Sequence, residues 1–173
     1  SAGTRVNPQG LVETVELLGS ELVTNGDFAT DSDWIKETGW TISGGTANRT
    51  NTGTYTALQQ NILTSGKTYE VTFTISSITS GEIYGVRLGS NYILRDKSTT
   101  GTYTGYGTAN GSTLSIMGNL TFAGSIDNVS VKESTKNNLA RVDYDGTASS
   151  LLVEPQRTNE VTYSEAFDNA YWS

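Results

Sequence analysis

The sequence predicts an all-β protein, a two-sheet antiparallel β-sandwich with extended N- and C-terminal flanks. Three observations lead there. Thr, Ser and Gly are abundant and Tyr outnumbers Phe nine to four, a bias toward strands and tight turns rather than helices. Lys67-Thr-Tyr-Glu-Val-Thr-Phe-Thr-Ile75 alternates strictly, with Tyr69, Val71, Phe73 and Ile75 on one face and Thr68, Glu70, Thr72 and Thr74 on the other, which marks a strand with one buried and one wet side. Turn signals then recur at roughly the 8–12 residue spacing of a sandwich or barrel.

Taken in order, Leu11–Leu18 reads as an extended arm or a short helix ended by Gly19. Leu22, Val23 and Phe28 flank the turn dipeptide Asn25-Gly26, and Gly39–Thr46 is a strand running into a Gly-Gly turn. Thr54–Leu63 follows, closed by Ser65-Gly66, and then the alternating strand from Lys67. Further strands are expected at Ile83–Leu88, Tyr92–Arg95, Gly101–Tyr106, Ser112–Met117 and Ile126–Lys132. About nine short antiparallel strands in roughly 110 residues make the two sheets of a jelly roll. The expected division is a flank at 1–20, the sandwich at 21–133, a linker or extended flank with a hairpin at 134–159, and the start of a second, truncated module at 160–173. The last rests on an echo of Leu22–Phe28 and Trp34 in Glu160–Phe167 and Trp172.

Composition removes whole classes of function. Without cysteine there is no disulfide framework and no thiolate metal site. Without histidine the commonest general base is absent, and a Ser-His-Asp triad cannot be built. A net charge of −7 is the opposite of a nucleic-acid footprint, and no apolar run approaches the ~20 residues of a membrane span. The first residues show no signal-peptide core, and both ends read as cuts inside a longer protein. Glycosidase chemistry needs two carboxylates facing each other across a cleft, whereas Glu70, Glu82 and Asp96 fall on separate strands or turns between short loops. The chain is therefore expected to bind rather than catalyse.

The segments Glu21-Leu-Val-Thr-Asn-Gly-Asp-Phe28, Ser65-Gly66 before Lys67-Thr-Tyr69, Gly101-Thr-Tyr-Thr104 and Gly124-Ser-Ile-Asp-Asn-Val-Ser-Val131 together resemble non-catalytic carbohydrate-binding modules of the jelly-roll superfamily, galactose-binding-like in fold and nearest in look to families four, nine and twenty-two. The flanks, Thr4–Glu13, Ala140–Asp145, Ser150–Asn159 and Tyr163–Phe167, resemble a segment of bacteriophage virion proteins, tail-fibre proteins especially. That resemblance implies a sandwich inserted between Val15 and Leu139, a virion or extracellular location, and assembly as a homo-oligomer or with neighbouring virion subunits.

In similar modules a structural calcium joins the last strand to the first loop, and the matching positions are Asp27 and Asp127. Asp127 shares strand parity with Val129 and Val131 and so aims at the core, where an unpaired carboxylate is costly. A Ca2+ held by carboxylates and backbone carbonyls relieves that cost, and so does a cap on turn N–H groups. Sugar rings stack on exposed aromatic faces. Trp40 beside Ile42 reads as core, and Trp34, after a polar loop, as either core or rim. Tyr84 shares parity with Val86 and Leu88 and reads as core, with Arg87 on the opposite face. Trp34, Tyr55, Gln59, Arg87, Tyr92 and Tyr106 are the candidate ligand-binding residues. Tyr, Gln and Arg on a wet sheet make a shallow glycan groove, and also an ordinary solvated face. The expected function is non-catalytic binding of a polysaccharide or cell-surface glycan, weak per site and strengthened by repetition. The alternatives are a purely structural fibre or decoration module and an accessory domain of a polysaccharide-degrading enzyme.

Overall fold

The computed structural model describes residues 4–6, 12–14, 17–135, 141–145 and 148–152, with side chains described over 17–135. Its strands are β1 (Thr4–Val6), β2 (Val12–Thr14), β3 (Leu17–Glu21), β4 (Ile35–Lys36), β5 (Trp40–Ser43), β6 (Thr46–Arg49), β7 (Thr56–Asn61), β8 (Thr68–Ser80), β9 (Ile83–Leu88), β10 (Asn91–Ile93), β11 (Gly101–Thr108), β12 (Thr113–Gly118), β13 (Ala123–Thr135), β14 (Arg141–Asp145) and β15 (Ala148–Leu152). No helix occurs among the described residues. Two compact units result: Leu17–Thr135, and a smaller one holding the β1–β2 and β14–β15 hairpins. The echo at 160–172 lies outside the described residues.

Residues 17–135 form an antiparallel two-sheet sandwich. One sheet has the order β10-β9-β12-β7-β4; the other runs β11-β8-β13-β6-β5, with β3 also paired to β13. From β7 onward the chain passes back and forth between the sheets, which is the jelly-roll path. The alternation of β8 is realised: Tyr69, Val71, Phe73 and Ile75 are buried, and the residues between them are half-buried. Facing them from the other sheet are Leu58, Val86, Leu88, Leu114 and Ile116, all fully buried. Removing each such side chain from water contributes about 1.5–3 kcal/mol. Between β5 and β6, Ser43 pairs with Thr46 across Gly44-Gly45, both at positive φ (65° and 73°). A two-residue hairpin loop of this hand requires that conformation twice, and glycine supplies it without steric cost.

Two charged side chains close the sandwich at opposite ends of β13. Arg49 pairs through its backbone with Gly124 at the start of β13, and its side chain is 2% exposed. Its Nε donates to the Thr56 hydroxyl (2.8 Å), Nη1 to the Phe122 carbonyl (2.6 Å), and Nη2 to the Thr54 carbonyl (2.7 Å) and the Thr52 hydroxyl (3.0 Å). Burial pushes its pKa down. Because Arg49 belongs to the six-stranded sheet and Thr56 to the five-stranded one, the guanidinium bridges the layers. Gln60 adds a second internal tie: its amide donates to the Thr24 carbonyl (2.7 Å) and accepts from the Thr24 N–H (3.3 Å).

Near the other end of β13, Glu21 joins the first strand of the sandwich to the last. Its Oε1 accepts from the N–H groups of Val131 (2.8 Å), Val23 (3.0 Å) and Leu22 (3.1 Å), and its Oε2 from the Ser130 hydroxyl (2.5 Å). Partial burial raises its pKa, but the Ser130 hydroxyl and the Val131, Val23 and Leu22 N–H groups together outweigh burial and hold it below its ordinary value of 4.5. Leu17–Glu21 shows no alternation and is exposed throughout; it becomes a strand because β13 offers it a partner.

Two outcomes follow. Arg49→Ala strands four acceptors, two of them backbone carbonyls, and is expected to lower stability by about 3 kcal/mol or more in urea denaturation. Arg49→Lys should recover only part of this, lacking the planar fork. For Glu21 the folded pKa is depressed, so its contribution is complete above pH 4.5 and fades as pH falls through the lowered folded value. Glu21→Gln should therefore cost about 1–2 kcal/mol at pH 7, and its melting midpoint should converge on that of the wild type in acid. A gap that stays constant with pH would show that the charge does not matter.

Candidate functional site

The outer face of the five-stranded sheet carries the densest group of nominated side chains. Register alone sets out a row across it: Ile35 opposite Gln59, Gln59 opposite Ser115, Ser115 opposite Arg87, and Arg87 opposite Tyr92. Four strand spacings make that row about 19 Å long. Beside it runs a second row, Ala57 opposite Met117 and Met117 opposite Gly85. The floor is low, because Ala57, Ser115 and Gly85 are small and buried. The taller side chains gather at one end.

That end is aromatic and cationic. Tyr55 meets Tyr84 edge-on (centroids 4.9 Å), and Tyr84 meets Tyr92 edge-on (5.6 Å), the geometry that ring quadrupoles favour. Tyr55 is 47% exposed and Tyr92 37%, so both present ring surface to water. The Arg95 guanidinium lies 4.8 Å from the centroids of both Tyr84 and Tyr92, and that of Arg87 lies 5.5 Å from Tyr92. Arg95 donates to the Tyr84 hydroxyl, and Arg87 to the Gly89 carbonyl (3.2 Å). A Cβ on Gly85 would sit 2.9 Å from the Tyr92 ring, so the ring lies down on the sheet only because that strand residue has no side chain. At the far end Glu37 accepts from the Ala57 N–H (2.7 Å) and the Gln59 amide (3.2 Å).

Tyr84 is on this face because of a bulge. Gly118 pairs with Ile83 while Met117 pairs with Gly85, which leaves Tyr84 as an extra residue on β9. Ile83 and Val86 are both fully buried, which an unbroken alternation forbids. The expectation that Tyr84 packs in the core is therefore corrected, and the overlooked signal was Gly85, since a glycine inside a strand pattern marks a bulge or a close approach. Arg95, which was not nominated, has no comparable signal.

Of the six nominated residues, Tyr55, Gln59, Arg87 and Tyr92 come together here. Trp34 does not. It is 7% exposed, its ring lies 5.4 Å from Phe28, and its Nε1 donates to the Asn25 carbonyl (3.0 Å). The polar loop before it folds around the Asn25 side chain, which donates to the Thr30 and Ser32 carbonyls, and so closes over the indole. Tyr106 is on β11, an edge of the other sheet, with its hydroxyl donating to Glu70.

No family model matches the chain, and no curated protein matches it. Among solved structures it is similar to the CBM35 of Paenibacillus barcinonensis, at 21% identity and a TM-score of 0.39, over 68% of this chain and 97% of that one.

Asp27 and Asp127, the expected cation ligands, each accept from a nearby backbone N–H. Asp127 pairs with Thr74, and Ser130 with Thr72, so β13 holds one extra residue there, with Asn128 at φ 52°. The bulge sends Ile126, Val129 and Val131 inward and Asp127 outward, correcting its expected aim at the core. Its Oδ1 accepts from the Asn128 N–H (2.6 Å), while Asp27, exposed, accepts from the Ala29 N–H (3.3 Å). Both carboxylates act as local caps, and among the described residues no three acidic side chains gather into a metal-binding group. Asp127→Asn is expected to change stability by less than about 0.5 kcal/mol, and a chelator should leave the melting midpoint of the protein unchanged. A midpoint that falls with chelator and recovers with Ca2+ would establish the metal clip instead.

Proposed function

We propose that the sandwich is a non-catalytic carbohydrate-binding module and that its binding surface is the outer face of the five-stranded sheet. One observation carries this reading: exposed Tyr55 and Tyr92, joined through Tyr84, stand beside a floor of Ala57, Ser115 and Gly85. A pyranose ring offers C–H groups to an aromatic face and hydroxyls to polar edges. Tyrosines with a wet side supply the first contact, and Gln59 and Arg87 in the same transverse row supply the second. The shallow floor suits a polysaccharide segment lying along the sheet, since a flat face gives access to chain interiors as well as ends. Affinity per module is expected to be low, because few groups are desolvated, and to rise when several modules meet one polymer.

Affinity electrophoresis of the 173-residue chain through a panel of plant, algal and bacterial polysaccharides tests the reading. Retardation by at least one polymer is expected. Tyr92→Ala and Tyr55→Ala should each weaken binding by about 1 kcal/mol, roughly fivefold in Kd, whereas Tyr106→Ala on the opposite sheet should not. Equal loss from Tyr106→Ala would move the site to the other face. Silence across the panel by a folded protein would leave the purely structural module.

A further inference from the structure

The aromatic end of the face holds two positive charges that no described carboxylate neutralises. Neither Arg87 nor Arg95 forms an ion pair among the described residues. The only such pairs there are Lys36 with Asp31 and Lys67 with Glu133. Arg49 is buried in its own set of acceptors, and Lys97 lies over the Tyr103 ring, 5.4 Å from its centroid. Asp96 follows Arg95 in sequence and forms no ion pair with it. Glu37 is at the far end of the face, with its oxygens taken by the Ala57 N–H and Gln59. In a chain of net charge −7, two neighbouring guanidiniums without an ion pair are a local exception.

The two guanidiniums are also held in place. Arg95 is flanked by Tyr84 and Tyr92, and Arg87 stands over Tyr92 from the neighbouring strand. Contact with the rings fixes each guanidinium plane and reduces the entropy lost when it engages a ligand. A guanidinium has five N–H donors. Arg95 uses one nitrogen, toward the Tyr84 hydroxyl, and Arg87 uses Nε and Nη1, the latter toward the Met117 sulfur. The remaining N–H groups have no partner among the described residues, and a planar fork of that kind matches a carboxylate or sulfate.

Building on the proposed glycan site, we infer that its ligand is an acidic sugar, a uronic acid or a sulfated residue. The anionic group sits on the Arg87–Arg95 edge, the ring lies against Tyr92, and no metal ion stands between them. The sugar chain then crosses the sheet with its charged residue at the β9–β10 end and neutral residues over Ala57 and Ser115, because Glu37 would repel an anion at the other end. A neutral polymer of the same backbone satisfies the rings but leaves both guanidiniums solvated as they are, and it gains nothing from them.

The test compares polymers matched in backbone. Polygalacturonate is set against its methyl ester, and dextran sulfate against dextran, with the full chain, both with and without EDTA, by affinity electrophoresis and calorimetry at two salt concentrations. At least one charged polymer is expected to bind about tenfold or more tightly than its neutral partner, with affinity falling as salt rises. The pair that shows the preference identifies the anion. Arg95→Gln, on an exposed side chain and with an unchanged melting midpoint as its folding control, should collapse the charged-to-neutral ratio toward one. Equal binding within both pairs would overturn the inference while the neutral-glycan reading stands, and so would a preference that Arg95→Gln does not alter or that EDTA abolishes. Absence of binding to all four polymers and to the broader panel would remove both.

Discussion

On a pleated strand a side chain has two destinations, and in a sandwich one of them is the core. Every placement in this molecule depends on that constraint, and only an inserted residue exchanges the two sides. β9 and β13 each carry one such insertion. On β9 it lets Ile83 and Val86, three residues apart, both reach the interior and delivers Tyr84 to the outer face. On β13 it lets Ile126 and Val129 do the same and sends Asp127 outward. The cost in each case is a local break in the ladder; the gain is a pair of fully or nearly fully buried aliphatic side chains. The first bulge builds the aromatic cluster, and the second removes a carboxylate from a place where it would have needed a counter-ion.

The same economy governs the two charged side chains that tie β13 to its neighbours. The chain has no cysteine, so its ends are fastened by other means. Arg49 and Glu21 each bind neutral dipoles, the one four oxygen acceptors and the other three N–H groups and a hydroxyl. An ion pair at the buried Arg49 site would desolvate two charges at once, and that penalty can exceed the attraction gained. Backbone groups at strand ends need partners in any case, so one charged side chain satisfies several of them together. Glu21 thus joins first strand to last through bonds to Ser130 and Val131.

What the sequence made legible follows from how local its cause is. β9 begins and ends where the alternation and turn residues place it, at Ile83 and Leu88, and the Gly44-Gly45 hairpin follows from two positive φ angles that glycine alone adopts freely. β8 starts within a residue of expectation and runs five residues further, because β13 continues beside it. The two-residue β4 escaped notice, since Ile35-Lys36 is too short to show a period and is fixed by its partner β7. Leu11–Leu18 reads equally as arm or helix and Gly19 as its end, whereas β3 runs through Gly19 from Leu17 to Glu21, because its strand state comes from pairing rather than pattern. For the site, parity carried Gln59 and Arg87 correctly to one face and misplaced Tyr84 once the register slipped. Trp34 depended on how a loop closes around Asn25, a tertiary event that leaves no periodic trace.

The two outer faces also differ in what they leave for a ligand. On the six-stranded sheet, Thr68 bonds to Thr108, Thr72 to Thr104 and Thr74 to Thr102 across β8 and β11, at 2.8–2.9 Å, and between them Tyr106 donates to Glu70. Hydroxyls there meet one another, so a sugar must break protein hydrogen bonds to make its own, at little net gain. On the five-stranded sheet the central strands present Ala57, Ser115 and Gly85, and no such hydroxyl ladder links them. Small residues at the centre of a sheet pack poorly against their neighbours and weaken it. Gly85 is explained by the Tyr92 ring that occupies its space, while Ala57 and Ser115, only 2% and 3% exposed, lie low among the taller side chains of the same rows, Gln59, Arg87 and Met117. What this face leaves open is the wet side of Tyr55 and Tyr92 and the N–H groups of Arg87 and Arg95 that have no partner among the described residues, which a polar polymer can engage without breaking bonds within the protein.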